Sequence, residues 1–341
     1  MPSYFIHSQA GSATIRRASF GWAILVFGAT LWSPLAHAQE LPGKPATLES
    51  ILQETAAPVT TSVDPDWLNG GAHRQEHPDA RQVRQRTMGI IAANALGVGL
   101  YGRNNWWRDG FSGSFRSVNE GWFGQNTYAG GADKLGHLYA NYAGTRLFAR
   151  AFEWAGNTPD ASLTLAAWLT LGTFTAVEVI DGFSNRWRFS REDAVMNAIG
   201  VGAALLLEKN PELDRLLDLR LLYQPSYEQH RKIDPFGDYP GQTYLVVAKA
   251  SGVPALRNHS LLRYFELAVG YGARGYTDNR PNGTGNRSRN FYVGISINVS
   301  ELLAQTVFKH AESRSRAQRA ADTVLEFVQV PGTAAFARHQ F

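Results

Sequence analysis

Hydrophobic residues recur with the period of an α-helix through the middle of the chain. The pattern predicts four apolar helices, at Thr87–Gly102, Asp133–Gly156, Ala161–Ile180 and Ser190–Glu208. The uncharged stretch of each is shorter than the ~20 residues that cross a bilayer readily. We therefore expect the helices to bury their apolar faces against one another, while their glycines leave partial insertion into a membrane open.

Beyond Pro211 the hydrophobic period changes to two, which is typical of β-strands. Residues 211–242 are predicted as an ordered loop. Strands are then predicted at Thr243–Ala248, Phe265–Tyr271 and Phe291–Val299, with a weaker candidate at Thr323–Val330. A turn-rich segment containing Asn282-Gly283 joins the second and third of these strands, so they form a predicted antiparallel hairpin.

The C-terminal part, residues 301–341, is predicted as a basic helix and tail. The helix spans Ser300–Ala321 and carries arginines toward its end, which suits either solvent or a membrane surface. Ala335–Gln340 lacks the alternation of a strand, although the terminal Phe341 resembles the end of an outer-membrane barrel protein. The predicted fold class is α+β: a bundle of about four apolar helices, a small antiparallel β region of about two to four strands, and a C-terminal helix.

The N-terminus has the parts of a bacterial secretory signal. Arg16 and Arg17 precede the apolar run Phe20–Leu31, and Ala36-His37-Ala38 forms a small-x-small cleavage site before Gln39. We predict a signal peptide over residues 1–38 and therefore an exported chain. The predicted regions that follow are an extended lead at 39–86, a helical domain at 87–210, the loop at 211–242, the β region at 243–300 and the tail at 301–341.

The composition narrows the possible chemistry. The chain has 341 residues, 44% of them apolar, with 33 Lys and Arg against 29 Asp and Glu and no cysteine. The missing cysteine excludes disulfides, thiolate metal sites, thiol nucleophiles and the lipidated cysteine of a lipoprotein. The predicted signal removes two arginines and no acid, so the mature chain is close to neutral. Because no basic stripe with interleaved aromatics is present, we expect no nucleic-acid partner.

Polar residues at helical spacing interrupt three of the predicted apolar helices. They are Asp133, His137 and Asn141 in the second helix, Glu178 and Asp181 at the end of the third, and Asp193 and Asn197 in the fourth. Burying that many ionisable groups costs several kcal/mol unless they pair or bind something. We therefore expect the three helices to turn them toward one common interior, for which three explanations are open.

The first explanation is a structural network that holds the helices in register. In it Lys134 or Arg188 neutralises the acids and His137 donates to a carboxylate. The other predicted polar members of this network are Asn141, Ser190 and Asn197.

The second explanation is a metal site, because a carboxylate and a histidine one helical turn apart have ligand spacing. The predicted ligand set is Asp133, His137, Glu178 and Asp181, with Asp193 also available. The third explanation is acid/base hydrolysis, in which His137 is the base and Asp133 or Asp193 orients it. No nucleophile elbow, phosphate loop or His-Glu-x-x-His motif accompanies either.

The spacing of these residues also carries a resemblance. Three sequence motifs resemble those of the YfiM-type proteins, a family of unknown function regarded as envelope or outer-membrane lipoproteins. The motifs are Asp133-Lys134-Leu135-Gly136-His137, Glu178-x-x-Asp181-Gly182 and Phe189-Ser190-x-x-Asp193-x-x-x-Asn197-x-x-Gly200. More distantly, their order is similar to that in VanZ-like membrane proteins. The resemblance covers about residues 133–208 and implies an envelope location and a helical core, with no established activity. The chain departs from it by lacking the cysteine that would carry a lipid.

The sequence as a whole predicts an exported protein of the Gram-negative envelope, periplasmic or associated with the outer membrane and not lipidated. The first functional hypothesis is a non-catalytic protein with a structural polar cluster and a membrane surface or another envelope protein as partner. The alternatives are a hydrolase acting on a lipid or cell-wall substrate, and a component of an outer-membrane barrel or pore. The sequence does not identify the cofactor or the small-molecule ligand.

Overall fold

The computed structural model of the protein describes residues 79–226, 235–276, 287–309 and 315–341. The predicted signal peptide, residues 39–78 of the predicted lead and most of the predicted hairpin turn lie outside the described residues. In the described part, a group of helices is followed by an antiparallel sheet and a C-terminal helix and strand, which confirms the α+β class.

Four long helices form the first half of the described chain. They are α1 (Ala80–Asn104), α2 (Ala132–Ala155), α3 (Pro159–Phe183) and α4 (Arg191–Glu208). The first begins seven residues before the predicted Thr87, because the Asp79 side chain accepts a hydrogen bond from Gln82 N at 2.7 Å and caps it. The bounds of the other three lie within a few residues of the prediction.

Helix α2 lies at the centre and packs against both α3 and α4. Its Phe152 and Ala149 form a core with Leu165 and Ala166 of α3, and its Tyr142 packs with Ala204 and Leu207 of α4. Helix α3 has 25 residues and is the one described helix long and apolar enough to cross a membrane, with 28% of its most apolar stretch buried.

Two short strands, β1 (Ser117–Val118) and β2 (Phe189–Ser190), pair in parallel beside these helices. The second half of the chain opens with α5 (Pro211–Leu216), and five strands then form an antiparallel sheet in the order of the chain. These strands are β3 (Leu217–Tyr223), β4 (Gln242–Lys249), β5 (Phe265–Arg274), β6 (Ser288–Ile297) and β7 (Ala334–Gln340).

The sheet corrects three sequence predictions. The predicted loop 211–242 contains α5 and β3, which hydrogen-bonds along the whole of β4. Ala335–Gln340 is part of an edge strand despite its lack of alternation, because the backbone of β6 offers a free edge to pair with. The predicted strand Thr323–Val330 is mainly helical instead, since it continues α7 (Arg316–Phe327), a helix capped by the Ser315 side chain.

The predicted helix Ser300–Ala321 is not one continuous helix in the described residues. Its first part is α6 (Val299–Gln305), which the Asn298 side chain caps, and its last residues belong to α7. Tyr139 of α2 donates a 2.6 Å hydrogen bond to the Phe327 carbonyl, so the end of α7 is held against the central helix. The helices and the sheet therefore meet around α2.

Candidate functional site

The starts of two helices and the end of a third meet at one point, and they bring the predicted polar residues together. Asp133 lies in the first turn of α2 and Asp193 in the first turn of α4, where the positive end of the helix dipole favours a carboxylate. The Ser190 side chain accepts from Asp193 N at 3.3 Å and caps α4, while Ser190 N donates to Glu178 Oε2 at 3.2 Å. The end of α3 is thus tied to the start of α4.

Lys134 is the cation at the centre of this cluster and is fully buried. Its Nζ lies 3.1 Å from Asp133 Oδ2 and 2.7 Å from Asp193 Oδ1, and it also bonds to Glu120. Burial lowers the pKa of Lys134, but these three carboxylates outweigh burial and raise the pKa above its usual value. Lys134 is therefore charged, whereas Arg188, the other predicted cation, is exposed.

Glu120 comes from the segment between α1 and α2, which has no period that the sequence could reveal. The β1–β2 pairing positions this segment: Phe189 N donates to Arg116 O at 3.0 Å, and Arg116 N donates to Gly182 O at 2.7 Å. These backbone bonds hold the segment against the end of α3 and the start of α4. Glu120 then reaches Lys134 from a segment that lies outside the four long helices.

His137 has a defined orientation, because its Nδ1 lies 3.0 Å from Asn197 Oδ1. The same oxygen accepts from Asn141 Nδ2 at 2.6 Å, and Asn141 Nδ2 also bonds to the His137 carbonyl. The amide oxygen of Asn197 can only accept, so Nδ1 of His137 carries a hydrogen and donates it. This leaves Nε2 of the ring to face the cluster.

Three carboxylate oxygens surround His137 Nε2. Glu178 Oε1 lies at 3.7 Å, Asp133 Oδ1 at 3.8 Å and Asp193 Oδ2 at 4.0 Å, so none is within hydrogen-bonding distance. Each aspartate is shared, because one of its oxygens faces Lys134 and the other faces His137. The four side chains therefore enclose a small gap lined by one nitrogen and three oxygens.

The charges in this cluster shift one another's pKa values. Burial lowers the pKa of His137, but Asp133, Asp193 and Glu178 outweigh burial and raise it to about 9. Burial raises the pKa of Glu178 to about 8 despite His137, and raises that of Glu120 to about 6 despite Lys134. All three shifts favour the protonated form of the group.

The sheet closes one side of the cluster. Tyr239, just before β4, hydrogen-bonds to Asp133, and Tyr244 of β4 lies so close to Gly136 that a Cβ there would meet its hydroxyl at 2.9 Å. The other side is more open, since the His137 side chain is 17% exposed while those of Asp133 and Asp193 are 6% exposed. Access to the cluster is therefore from the His137 side.

Asp181, predicted as a metal ligand, binds Trp107 through one of its oxygens. Its Oδ1 accepts from Trp107 Nε1 at 2.6 Å, and Trp107 follows directly after α1, in a segment without a regular period. The group whose ligand atoms all lie within 4.8 Å of one another consists of Asp133, His137 and Asp193. The predicted ligands Glu178 and Asp181 are not in this group, although Glu178 Oε1 lies 3.7 Å from His137 Nε2.

The contact between Trp107 and Asp181 predicts a pH-dependent signal. Burial raises the pKa of Asp181 from 3.8 to about 6, although the Trp107 hydrogen bond lowers it. Because the carboxyl of Asp181 binds its proton more tightly in the folded protein than in the unfolded chain, protonation stabilises the fold. This contribution to the free energy of unfolding is complete below pH 3.8 and is lost as the pH rises to about 6. We expect Trp107 emission to change with a midpoint near pH 6, and Asp181→Asn to remove the change. If Trp107→Phe kept the same emission transition, the signal would come from another tryptophan.

Residues 119–209 match the family model described as predicted periplasmic lipoproteins of unknown function (DUF2279). No curated protein and no solved structure matches the chain. The matched segment contains Glu120 and all of α2, α3 and α4, hence every member of the cluster except Tyr239. The periplasmic description supports an exported protein, whereas the word lipoprotein contrasts with the absence of cysteine from the sequence.

Proposed function

We propose that this exported envelope protein binds a divalent metal ion in the gap between His137, Asp133 and Asp193, with Glu178 as a further carboxylate. The observation that carries the proposal is the position of His137 Nε2, which faces three carboxylate oxygens at 3.7 to 4.0 Å and bonds to none of them. The family match supports export, and the predicted signal at residues 1–38 would provide it.

The distances favour a metal ion over a direct ion pair. A protonated histidine bonded to a carboxylate has an N···O distance of about 2.7–2.9 Å. Ligand atoms around a tetrahedral ion with bonds of about 2.0–2.3 Å are instead about 3.3–3.8 Å apart. The three distances from His137 Nε2 lie at or just beyond the upper end of that second range. A small contraction would complete the coordination shell.

The surroundings are those of a metal ligand set. A ligating histidine usually donates its second ring hydrogen to an oxygen that fixes its orientation, and Asn197 accepts it here. Lys134 holds the other oxygens of both aspartates, so each aspartate presents one oxygen to the ion. One nitrogen with carboxylate oxygens suits Zn²⁺, Mn²⁺ or Fe²⁺.

The charge balance supports the same conclusion. The raised pKa of His137, about 9, keeps the metal-free imidazole protonated, and the raised pKa of Glu178, about 8, keeps that carboxyl protonated. The cluster therefore holds two protons beside Lys134 where a cation could bind. Buried charge is stable only when it is paired or coordinates a metal. A dication would displace these two protons and pair with the carboxylates, so its binding should release protons.

The test is elemental analysis of the protein purified without chelator or affinity metal. We expect one equivalent of a transition metal in the wild type and its loss in His137→Ala and Asp193→Asn. Asp181→Asn is the matched control, because it removes a neighbouring carboxylate that lies outside the ligand group, and it should retain the metal. Metal at 100 times Kd should also raise the free energy of unfolding of chelator-treated protein by about 2.7 kcal/mol.

A structural network is the rival explanation, and the full burial of Lys134 among three carboxylates favours it. It predicts a protein without metal whose unfolding does not respond to Zn²⁺ or Mn²⁺, and a His137→Ala variant that is less stable. That combination would overturn the metal proposal, because the cluster would then serve only to join the helices.

A metal-dependent hydrolase of a lipid or cell-wall substrate is the second candidate function. It is favoured by the exposure of His137, which would let water reach the ion and become a nucleophile there. Hydrolysis of phospholipid or peptidoglycan that stops with chelator and returns with metal would separate this function from metal storage or structural binding. The relationship to YfiM-type and VanZ-like proteins is part of the proposal and rests on the spacing of the cluster residues.

A further inference from the structure

The outward residues on one face of the five-stranded sheet are apolar, and part of that face is exposed. The pairing places Val246 beside Val269 and Val269 beside Val293, and it places Leu267 beside Ile295. We call this side of the sheet the outer face. Its large exposed residues, between 41% and 57% accessible, are Val246, Phe265, Leu267, Phe291, Val293, Ile295 and Ile297.

The opposite, inner face buries charge. Arg220 of β3 bonds to Glu266 of β5 at 2.8 Å, and Ser296 of β6 donates to the same carboxylate at 2.9 Å. Asp218 and Gln329 are also buried there beside Arg220. The inner face also buries the apolar side chains of Leu245, Val247 and Ala268. A sheet in water normally exposes its polar residues, whereas this sheet buries Arg220 and Glu266 and exposes large aliphatic side chains on its outer face, as a sheet in contact with lipid does.

Part of the outer face is already an apolar interface. Its first strands, β3 and β4, pack against the helices: Leu217 and Leu219 lie against Tyr142 and Leu207, and Tyr244 packs with Ala132. The exposed residues of β5 and β6 continue the same face without a break in the register. The occupant of the exposed part must therefore be apolar as well.

Positive charge lies at one end of the outer face. Arg287 has its guanidinium 5.2 Å above the Tyr276 ring, and Arg289 lies 4.6 Å above the Phe341 ring. No outward position of the five strands is acidic. Tyr276 is buried and Arg289 also donates to the Phe123 carbonyl, whereas Phe341 is 51% exposed. An exposed aromatic ring beside arginine is typical of the membrane interface, where arginine pairs with phosphate.

We propose that the outer face lies on an anionic phospholipid bilayer, with the aliphatic side chains of β5 and β6 among the acyl chains and Arg287 and Arg289 at the headgroups. The uncharged face matches hydrocarbon and the basic end matches anionic headgroups. This inference is independent of the metal site and concerns where in the envelope the protein is held.

The test is flotation of the full chain with vesicles of phosphatidylcholine, with and without phosphatidylglycerol. We expect binding that is tighter with phosphatidylglycerol and weakens as salt is raised. Replacing Leu267 and Ile295 together with serine should lower the affinity for the vesicles at least roughly tenfold. The thermal unfolding of this variant should match the wild type, because both side chains are exposed.

The matched control replaces Leu96 of α1 and Leu206 of α4 with serine, since these leucines are exposed to a similar degree on the helices. The control should bind vesicles like the wild type. Vesicle binding that is unchanged in the sheet variant, or that falls equally in the control, would place the attachment elsewhere and overturn the proposal. So would equal binding to both vesicle types, or a lipid-free dimer that the sheet variant converts to a monomer.

Discussion

Replacing Lys134 with methionine is expected to destabilise the protein by about 3–5 kcal/mol. Methionine keeps most of the length of the side chain, so the change removes the charge rather than the packing. The carboxylates of Asp133, Asp193 and Glu120 would then face one another in the interior without their shared partner. Urea unfolding of metal-free protein measures the loss directly.

Two comparisons test the cause of that loss. Lys209→Met removes an exposed lysine at the end of α4 and should leave the unfolding midpoint unchanged. Asp193→Asn combined with Lys134→Met removes one of the uncompensated carboxylates, so the double variant should be more stable than Lys134→Met alone. If Lys134→Met cost less than about 1 kcal/mol, the ion pairs would not be what holds the cluster together.

Gly200→Ala is expected to destabilise the protein by about 2–4 kcal/mol. Helices α2 and α4 approach so closely at this position that a Cβ on Gly200 would meet the Leu138 carbonyl oxygen at 2.2 Å and Asn141 Cβ at 2.9 Å. Both contacts are with parts of α2 that cannot rotate away. The helices must separate, and the hydrogen bond between Asn141 and Asn197 would lengthen with them.

Gly202→Ala is the matched control on the same helix. Nothing lies within 4 Å of a Cβ at Gly202, so alanine there should stabilise α4 by about 0.5–1 kcal/mol through its higher helix propensity. Thermal or urea unfolding of the two variants should therefore move in opposite directions. A Gly200→Ala variant as stable as the wild type would mean that the helices are not in the close contact described here.

The helices were largely predictable because each has a local cause. The apolar period, Ser190 before an acidic first turn and Gly156 after the second helix all act within a few residues. The predictions that were wrong concern segments whose secondary structure depends on a neighbouring segment in the fold. β7 has little strand character and forms because the edge of β6 is available, while Thr323–Phe327 is helical because α7 packs Phe327 against Tyr142.

The site likewise contains residues that helical spacing predicted and residues that it did not. Helical spacing placed Asp133 with His137 and Asp193 with Asn197 on common faces, and these four do meet. Glu120, Trp107 and Tyr239 were missed, because they lie in segments without a period.

The sequence by itself determined the helical core, the α+β class and the set of polar residues turned inward, because each follows from local periodicity, capping and the cost of burying charge. Only the tertiary structure decided that Lys134 takes one oxygen from each aspartate and that His137 faces the others. It also decided which face of the sheet is exposed. Both outcomes depend on contacts between segments far apart in the chain. Alternating apolar residues predict an apolar face of a sheet, but they do not determine whether protein, lipid or water covers that face.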